Sequence, residues 1–222
     1  MNLCLFDLDD TLIPLDSDYA WGEFVVRLGW VDAEEYRRGN EFFYAQYREA
    51  RLDIDAYIDF TTAPLRSRSE AERHAAQERF MAEVIQPVLH PAARSLVEEH
   101  RARGDRIALV TATNEFVTAP IAAAFGIETL IAVRLERGPG GTITGRIDGV
   151  PSYREGKVAR VAQWLAEAHL GWGDFERISV YSDSINDLPL LERATEPVAT
   201  NPSEPLELVA RERGWRILRL FE

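Results

Sequence analysis

Four apolar residues, Leu3-Cys4-Leu5-Phe6, run without interruption into Asp7, Asp9 and Asp10. A short apolar run of this kind fits a strand buried on both faces, the habit of a parallel sheet with helices on either side. The acids then mark where the strand leaves the core. Asp7 and Asp9 are two apart, so strand geometry puts both on one side. Carboxylates crowded this closely repel, and a divalent cation or a shared proton is the usual relief. The plainer alternative, an acidic loop after a strand, leaves unexplained the acids and the lysine that recur at fitting places downstream.

The rest of the chain repeats the strand–helix theme. Strand-like runs fall at Asn2 to Leu8, Arg106 to Thr111, Thr129 to Leu135 and Arg177 to Ser182, with weaker ones at Pro197 to Thr200 and Arg216 to Leu220. Between them, Leu96, Val97 and His100 precede Gly104, and Val158, Val161, Ala162 and Leu165 keep helical spacing before Gly171. The expected class is α/β, a doubly wound parallel sheet covered on both faces. Residues 17–86 break the alternation. Trp21, Phe24, Val25 and Leu28 form one helical stripe, and Tyr36, Phe43, Tyr44 and Tyr47 suggest a second. Asp53 and Ser69 stand where they would cap a third and a fourth, the last bearing Phe80, Met81, Val84 and Ile85. The expected organisation is a Rossmann-like core from 1–16 and 87–222, with 17–86 as an inserted helical-bundle cap. Alternation from Thr142 to Asp148 predicts one arm of a hairpin.

A chain of 222 residues is ample for such a core plus a small accessory unit. The formal charge of -12 argues against a nucleic-acid partner and against docking on anionic lipid, yet leaves room for a small anionic substrate beside a local cation. One cysteine, Cys4, sits within the first apolar run and reads as a packed thiol; no disulfide can form within the chain, which fits a reducing compartment. No segment is apolar enough to span a membrane, and the N-terminal residues lack the basic start and apolar stretch of a secretory signal. The expected location is cytoplasmic.

Ligands of open parallel sheets bind beyond the carboxyl ends of the strands. The first strand ends in Asp7 and Asp9, the second in Val110-Thr111-Ala112-Thr113-Asn114, and a later one in Ser182-Asp183-Ser184-Ile185-Asn186-Asp187. Lys157 stands near a helix start, where a cation opposes the helix dipole. Hard cations such as magnesium take carboxylate and carbonyl oxygens, which Asp7, Asp183 and the Asp9 backbone could supply. Lys157 would neutralise an anion, and Thr111 with the amides after it suits phosphate oxygens. No histidine or cysteine cluster has zinc-like spacing. His74, His90, His100 and His169 read as surface or packing residues.

Phe6-Asp7-Leu8-Asp9-Asp10-Thr11-Leu12 resembles the first motif of the haloacid dehalogenase superfamily of phosphohydrolases. The segment around Thr111 resembles the second, Lys157 the third, and Ser182-Asp183-Ser184-Ile185-Asn186-Asp187 the fourth, in family order. The inserted helices and Thr144-Gly145-Arg146 resemble the phosphoserine-phosphatase-like branch. The resemblance implies a magnesium-dependent phosphatase acting on a small phosphorylated metabolite. Asp7 would be the nucleophile and Asp9 the acid and base. Asp7, Asp183 and the Asp9 carbonyl would hold Mg2+, while Thr111, the Ala112 amide and Lys157 would bind the phosphoryl group. Asp187 and Asn186 would orient the lysine or a metal-bound water, and Thr11 would fix the loop after the strand. A phosphotransferase or mutase of the same superfamily, or a non-enzymatic receiver domain, would use similar residues. The second motif departs from the branch, where serine followed by two glycines is usual. Phosphoserine is therefore not implied as the substrate, and histidinol phosphate is a comparable candidate. Asp16, Asp18, Glu23, Arg48 and Arg51 lie where a related phosphatase contacts its substrate, and each reads first as a solvated charge. Trp21, Phe43, Tyr44 and Tyr47 read first as bundle core.

Overall fold

In a computed structural model of the chain, which describes residues 1–221, the strands are β1 (Asn2–Phe6), β2 (Arg106–Asn114), β3 (Leu130–Val133), β4 (Leu135–Arg137), β5 (Ile143–Ile147), β6 (Arg177–Ser182), β7 (Glu196–Thr200) and β8 (Arg216–Leu218). Six of them form one parallel sheet in the order β3-β2-β1-β6-β7-β8. The strand order reverses between β1 and β6, so a crevice opens beyond their carboxyl ends. The helices are α1 (Ser17–Arg27), α2 (Ala33–Arg48), α3 (Ile54–Arg66), α4 (Glu70–Phe80), α5 (Pro91–Ala102), α6 (Glu115–Ala124), α7 (Glu155–Glu167), α8 (Leu188–Leu191) and α9 (Glu204–Arg213). None of the described helices is long and apolar enough to cross a membrane.

The two-residue period of β1 divides its side chains between two apolar layers. Cys4 and Phe6 enter one layer, with Leu96, Leu109 and Val117. Leu3 and Leu5 enter the other, with Val110, Val161, Leu165 and Leu206. The doubly wound expectation is met.

Each inserted helix begins at a side-chain cap that satisfies a free backbone N–H. Asp16, Asp32 and Asp53 accept from Tyr19, Glu35 and Ala56, and Ser69 forms a reciprocal capping box with Glu72. The insert does not keep its apolar residues to itself. Trp21 meets Phe24, Phe80 and, on α6, Phe116, at ring-centroid distances of 5.6, 5.2 and 5.5 Å. The layer containing Phe6 and Val117 therefore continues unbroken into α1 and α4.

Two expectations need correction. The run from Thr129 to Leu135 is not one strand: it breaks at Arg134, with β3 in the main sheet and β4 turning away to pair with β5. Asp148 supplies the reason: its N–H donates to the Arg134 carbonyl, and its carboxylate pairs with the Arg134 guanidinium. His100 is not a lone packing residue. It is 1 % exposed, with Nδ1 2.7 Å from Asp105 Oδ2 and Nε2 2.9 Å from the Tyr181 hydroxyl. The carboxylate selects the Nδ1–H tautomer, so Nε2 accepts from Tyr181. Burial holds the His100 pKa below its ordinary value although Asp105 pulls the other way. The ring is neutral, and its contribution to stability is lost as pH falls through the ordinary histidine range. Tyr181→Phe strands the buried Nε2 without its donor. The expected cost is about 1–3 kcal/mol, read as a lower urea midpoint at unchanged m.

Candidate active site

Backbone geometry carries the acids to the sheet edge. β1 ends at Phe6, and the Asp7 N–H continues its ladder onto the Tyr181 carbonyl at 2.9 Å. The chain then coils tightly, with the Thr11, Leu12 and Ile13 amides all donating to the Leu8 carbonyl. Asp7 and Asp9 thus lie past the last strand residue, yet both face one cavity. On β2, a register irregularity between Val110 and Asn114 turns Thr111, Ala112 and Thr113 towards the same cavity. On β6, the turn after Ser182 is pinned by Thr11, whose Oγ1 accepts the Asp183 N–H at 3.0 Å and lies 3.4 Å from Asp183 Oδ1. Thr11 thereby ties the first acidic segment to the last. The first turn of α7 has room for glycine alone at 156, since a Cβ there would lie 2.0 Å from the Pro151 carbonyl oxygen. That close approach sends Lys157 inward at 1 % exposure.

Lys157 Nζ bonds Asp7 Oδ1 at 2.8 Å and Asp187 Oδ2 at 2.7 Å. Ser182 Oγ also donates to Asp187 Oδ2, at 2.8 Å, while Asp187 Oδ1 is buried without a partner. Asp9 Oδ1 accepts the Ser17 N–H at the start of α1, and Oδ2 accepts the Thr113 hydroxyl, both at 2.8 Å. Thr111 Oγ1 accepts the Thr113 N–H at 3.1 Å, so its own proton remains available to a ligand. The arrangement brings Asp7, Asp9, Thr111, Ala112, Lys157, Asp183 and Asp187 together as their sequence positions suggest.

Asn186 behaves differently from the expectation of a residue orienting the lysine. Its Nδ2 donates to the Tyr47 carbonyl at 2.9 Å and its Oδ1 takes the Tyr153 hydroxyl at 3.4 Å, so it clasps the end of α2 to the core. Arg154 adds a second clasp, to the Ala50 carbonyl at 3.0 Å. Of the charges noted in the insert, Asp16 lines the cavity and Asp18 is buried against Asn114. Glu23 pairs with Arg37 and Arg51 with Glu49, both near the surface. Trp21 is core, but Phe43, Tyr44 and Tyr47 line the cavity together with Leu52 and Tyr57. Sequence reasoning missed Tyr57, Leu52, Ser17 and Thr113 as site residues. Thr113 carries a readable signal, standing two residues beyond Thr111 on the same strand face.

The electrostatics show a shortage of positive charge. Burial pushes Asp7 up to about 7; Lys157 pulls it down, while Asp187 and Asp9 push it further up. Asp183 is raised well above the carboxylate range by burial and by Asp7, Asp10 and Asp187. Asp9 is raised by burial, against the bonds from Ser17 and Thr113. Lys157 is desolvated, yet its two carboxylates raise its pKa, so it stays a cation. One ammonium cannot neutralise this group. A hard divalent ion between Asp7 and Asp183 would bring both acids down, and the orphaned Asp187 oxygen could accept from a water of its shell. Among the described residues, no three His, Cys, Asp or Glu side chains already share a metal-sized shell. The expected set differs from that, being two carboxylates, one backbone carbonyl and water. The donor chemistry fits magnesium.

Residues 4–192 match the haloacid dehalogenase-like hydrolase family. The chain is 45% identical over 217 residues to a histidinol-phosphatase of Neisseria meningitidis, covering 98% of each. It is 31% identical over 218 residues to a phosphoserine phosphatase of Mycobacterium tuberculosis, covering 96% of this chain and 68% of the relative. A solved structure of a Bordetella pertussis protein of unknown function superposes with a TM-score of 0.93 at 50% identity, covering 99% of both. With its four motifs meeting at one sheet edge, the chain belongs to the haloacid dehalogenase-like hydrolases.

Proposed function

We propose that this protein is a magnesium-dependent phosphatase of a small phosphomonoester whose alcohol carries a cationic nitrogen, with histidinol phosphate ahead of phosphoserine. The observation that carries the choice is the lining of the cavity. Its upper walls are Asp16 and the aromatic rings of Phe43, Tyr44, Tyr47 and Tyr57, with no lysine or arginine among the described residues of those walls. An ammonium or imidazolium is attracted by a carboxylate and by ring faces. The carboxylate of phosphoserine would meet Asp9 and Asp16 with no basic partner. The 45% identical relative is named a histidinol-phosphatase.

In this reading Asp7 attacks phosphorus. The bond from its carboxylate oxygen to phosphorus forms as the bond to the alcohol oxygen breaks, giving an aspartyl-phosphate. Asp9, raised by burial, gives its proton to the departing alkoxide and later takes one from the attacking water. The Thr111 hydroxyl, the Ala112 amide and Lys157 hold the phosphoryl oxygens. Asp7, Asp183 and the Asp9 carbonyl would hold Mg2+, which supplies neutralisation of the phosphate charge. Residues 17–86 act as the cap. The cavity beneath has a volume of about 30 Å³, room for about two waters. The substrate is larger, so the clasps at Asn186 and Arg154 open to admit it and close to exclude water.

Phosphate release from histidinol phosphate and from phosphoserine, with magnesium and with chelator, tests the proposal. The expected result is magnesium-dependent hydrolysis with kcat/KM favouring histidinol phosphate. Faster turnover of phosphoserine would overturn the substrate choice. Asp9→Asn is expected to lower kcat by about 10²–10⁴-fold. It should still accumulate phosphorylated Asp7, detectable by mass in rapidly quenched samples; full activity at neutral pH would remove Asp9 from the acid–base role.

A further inference from the structure

The closed cavity has a neighbour. A second hollow, open to solvent and about 510 Å³ in volume, lies against its outer side and shares two of its residues, Asp16 and Tyr44. Asp10, Glu41, Leu15 and Arg48 form much of its remaining wall. The Tyr44 ring stands between the two spaces. On one side it packs on Tyr19, at a centroid distance of 5.3 Å and an interplanar angle of 52°. The exposed guanidinium of Arg48 lies 6.0 Å from its centroid. These are ring contacts made within the insert and are not part of the apolar layer shared with the sheet. The partition can therefore be shortened without emptying the core.

We infer that Tyr44 is a specificity-determining residue that sets the length of alcohol the enzyme accepts, by walling the catalytic cavity off from the acidic groove beside it. This rests on the phosphatase reading above. With the ring in place, the phosphoryl group at Asp7 leaves space only for a compact alcohol. With the ring removed, the two hollows become one, and a longer alcohol can run past Asp16 into the groove. The groove places three carboxylates, from Asp10, Asp16 and Glu41, against the single cation of Arg48. A tail ending in an ammonium is favoured there over a neutral one of equal length. The proximity of Asp16 and Asp10 is also felt by the Tyr44 hydroxyl, whose pKa is raised by burial and then by those two acids.

The test compares kcat/KM for ethanolamine phosphate, aminohexyl phosphate and hexyl phosphate, with magnesium, in wild type, Tyr44→Phe, Tyr44→Leu and Tyr44→Ala. The expected result for Tyr44→Ala is a rise of about 10-fold or more in the aminohexyl-to-ethanolamine ratio that includes a gain in kcat/KM for aminohexyl phosphate itself, beyond the short ester's loss of the ring face, on the scale at which pockets discriminate by size. Tyr44→Leu should show a smaller rise and Tyr44→Phe none, and the gain for hexyl phosphate should fall short of that for its amine. A ratio in Tyr44→Ala within about two-fold of wild type, with the short ester still hydrolysed, would overturn the partition and leave the phosphatase reading standing. Loss of the short ester in both the Ala and Leu variants would also overturn it, because the ring would then serve the reaction itself. Failure of the wild type to hydrolyse any phosphomonoester would instead remove the functional reading, and the partition with it.

Discussion

Asp7→Asn will abolish phosphate release while leaving a folded protein, with kcat falling by at least about 10³-fold, as expected when a covalent nucleophile is lost. The amide keeps the shape of the carboxylate, and its oxygen can still accept from Lys157, so the 2.8 Å contact has a neutral replacement. It cannot form the acyl phosphate. The variant should also be at least as resistant to urea as the wild type in chelator. Asp7 has a folded-state value of about 7, well above the unfolded carboxylate range. A carboxyl raised in this way favours the folded state in acid, and its support fades as pH rises from about 4 through 7. Above that range the charged form is a burden that asparagine removes. Urea midpoints of both proteins at pH 8, beside a phosphate-release assay, check the pair of outcomes. A variant that kept even a tenth of the wild-type rate would exclude the aspartyl-phosphate route.

Lys157→Met should be the most damaging single change to both activity and stability. The ammonium is the cation common to Asp7 and Asp187, and all three groups are buried. Removing it leaves two buried acids without their cation, at an expected cost of about 3–5 kcal/mol for breaking a buried pair. The loss should deepen as pH rises. Without Lys157, which pulls the Asp7 carboxyl down, Asp7 would hold its proton still more tightly in the folded state than in the unfolded one, so the loss is smallest in mild acid and largest above neutrality. Urea titrations in chelator at pH 5.5 and pH 8 measure that slope, and a midpoint difference independent of pH would refute this account. Lys157→Arg should not rescue activity, because the larger planar guanidinium must enter a space where the lysine is 1 % exposed.

Much of this site was legible because its chemistry coincides with where strands stop. Asp7, Thr111 and Asp183 each follow an apolar run, and such a run ends where the sheet edge begins. The helix α6 left no comparable trace. Pro120 interrupts its pattern, and its cap, Asn114, reads equally well as the polar end of β2. The roof of the cavity was misjudged for a different reason. Phe43, Tyr44 and Tyr47 recur at helical spacing, and that spacing is the same whether a stripe faces a bundle core or a hollow. His100 and Tyr181 are 81 positions apart, and nothing local to either announces the other. Asn186 stands in the fourth motif, but its bond to the Tyr47 carbonyl depends on a fold-level meeting that no spacing reveals.

The meeting of Trp21 and Phe80 with Phe116 also bears on how far the parts of this protein can be exchanged. Residues 17–86 cannot be exchanged as a self-contained module. A cut on either side of residues 17–86 passes through shared hydrocarbon and bares an aromatic surface on both fragments. Divergence of substrate preference within this architecture is therefore easier by changing single side chains over the hollow than by recombining whole segments.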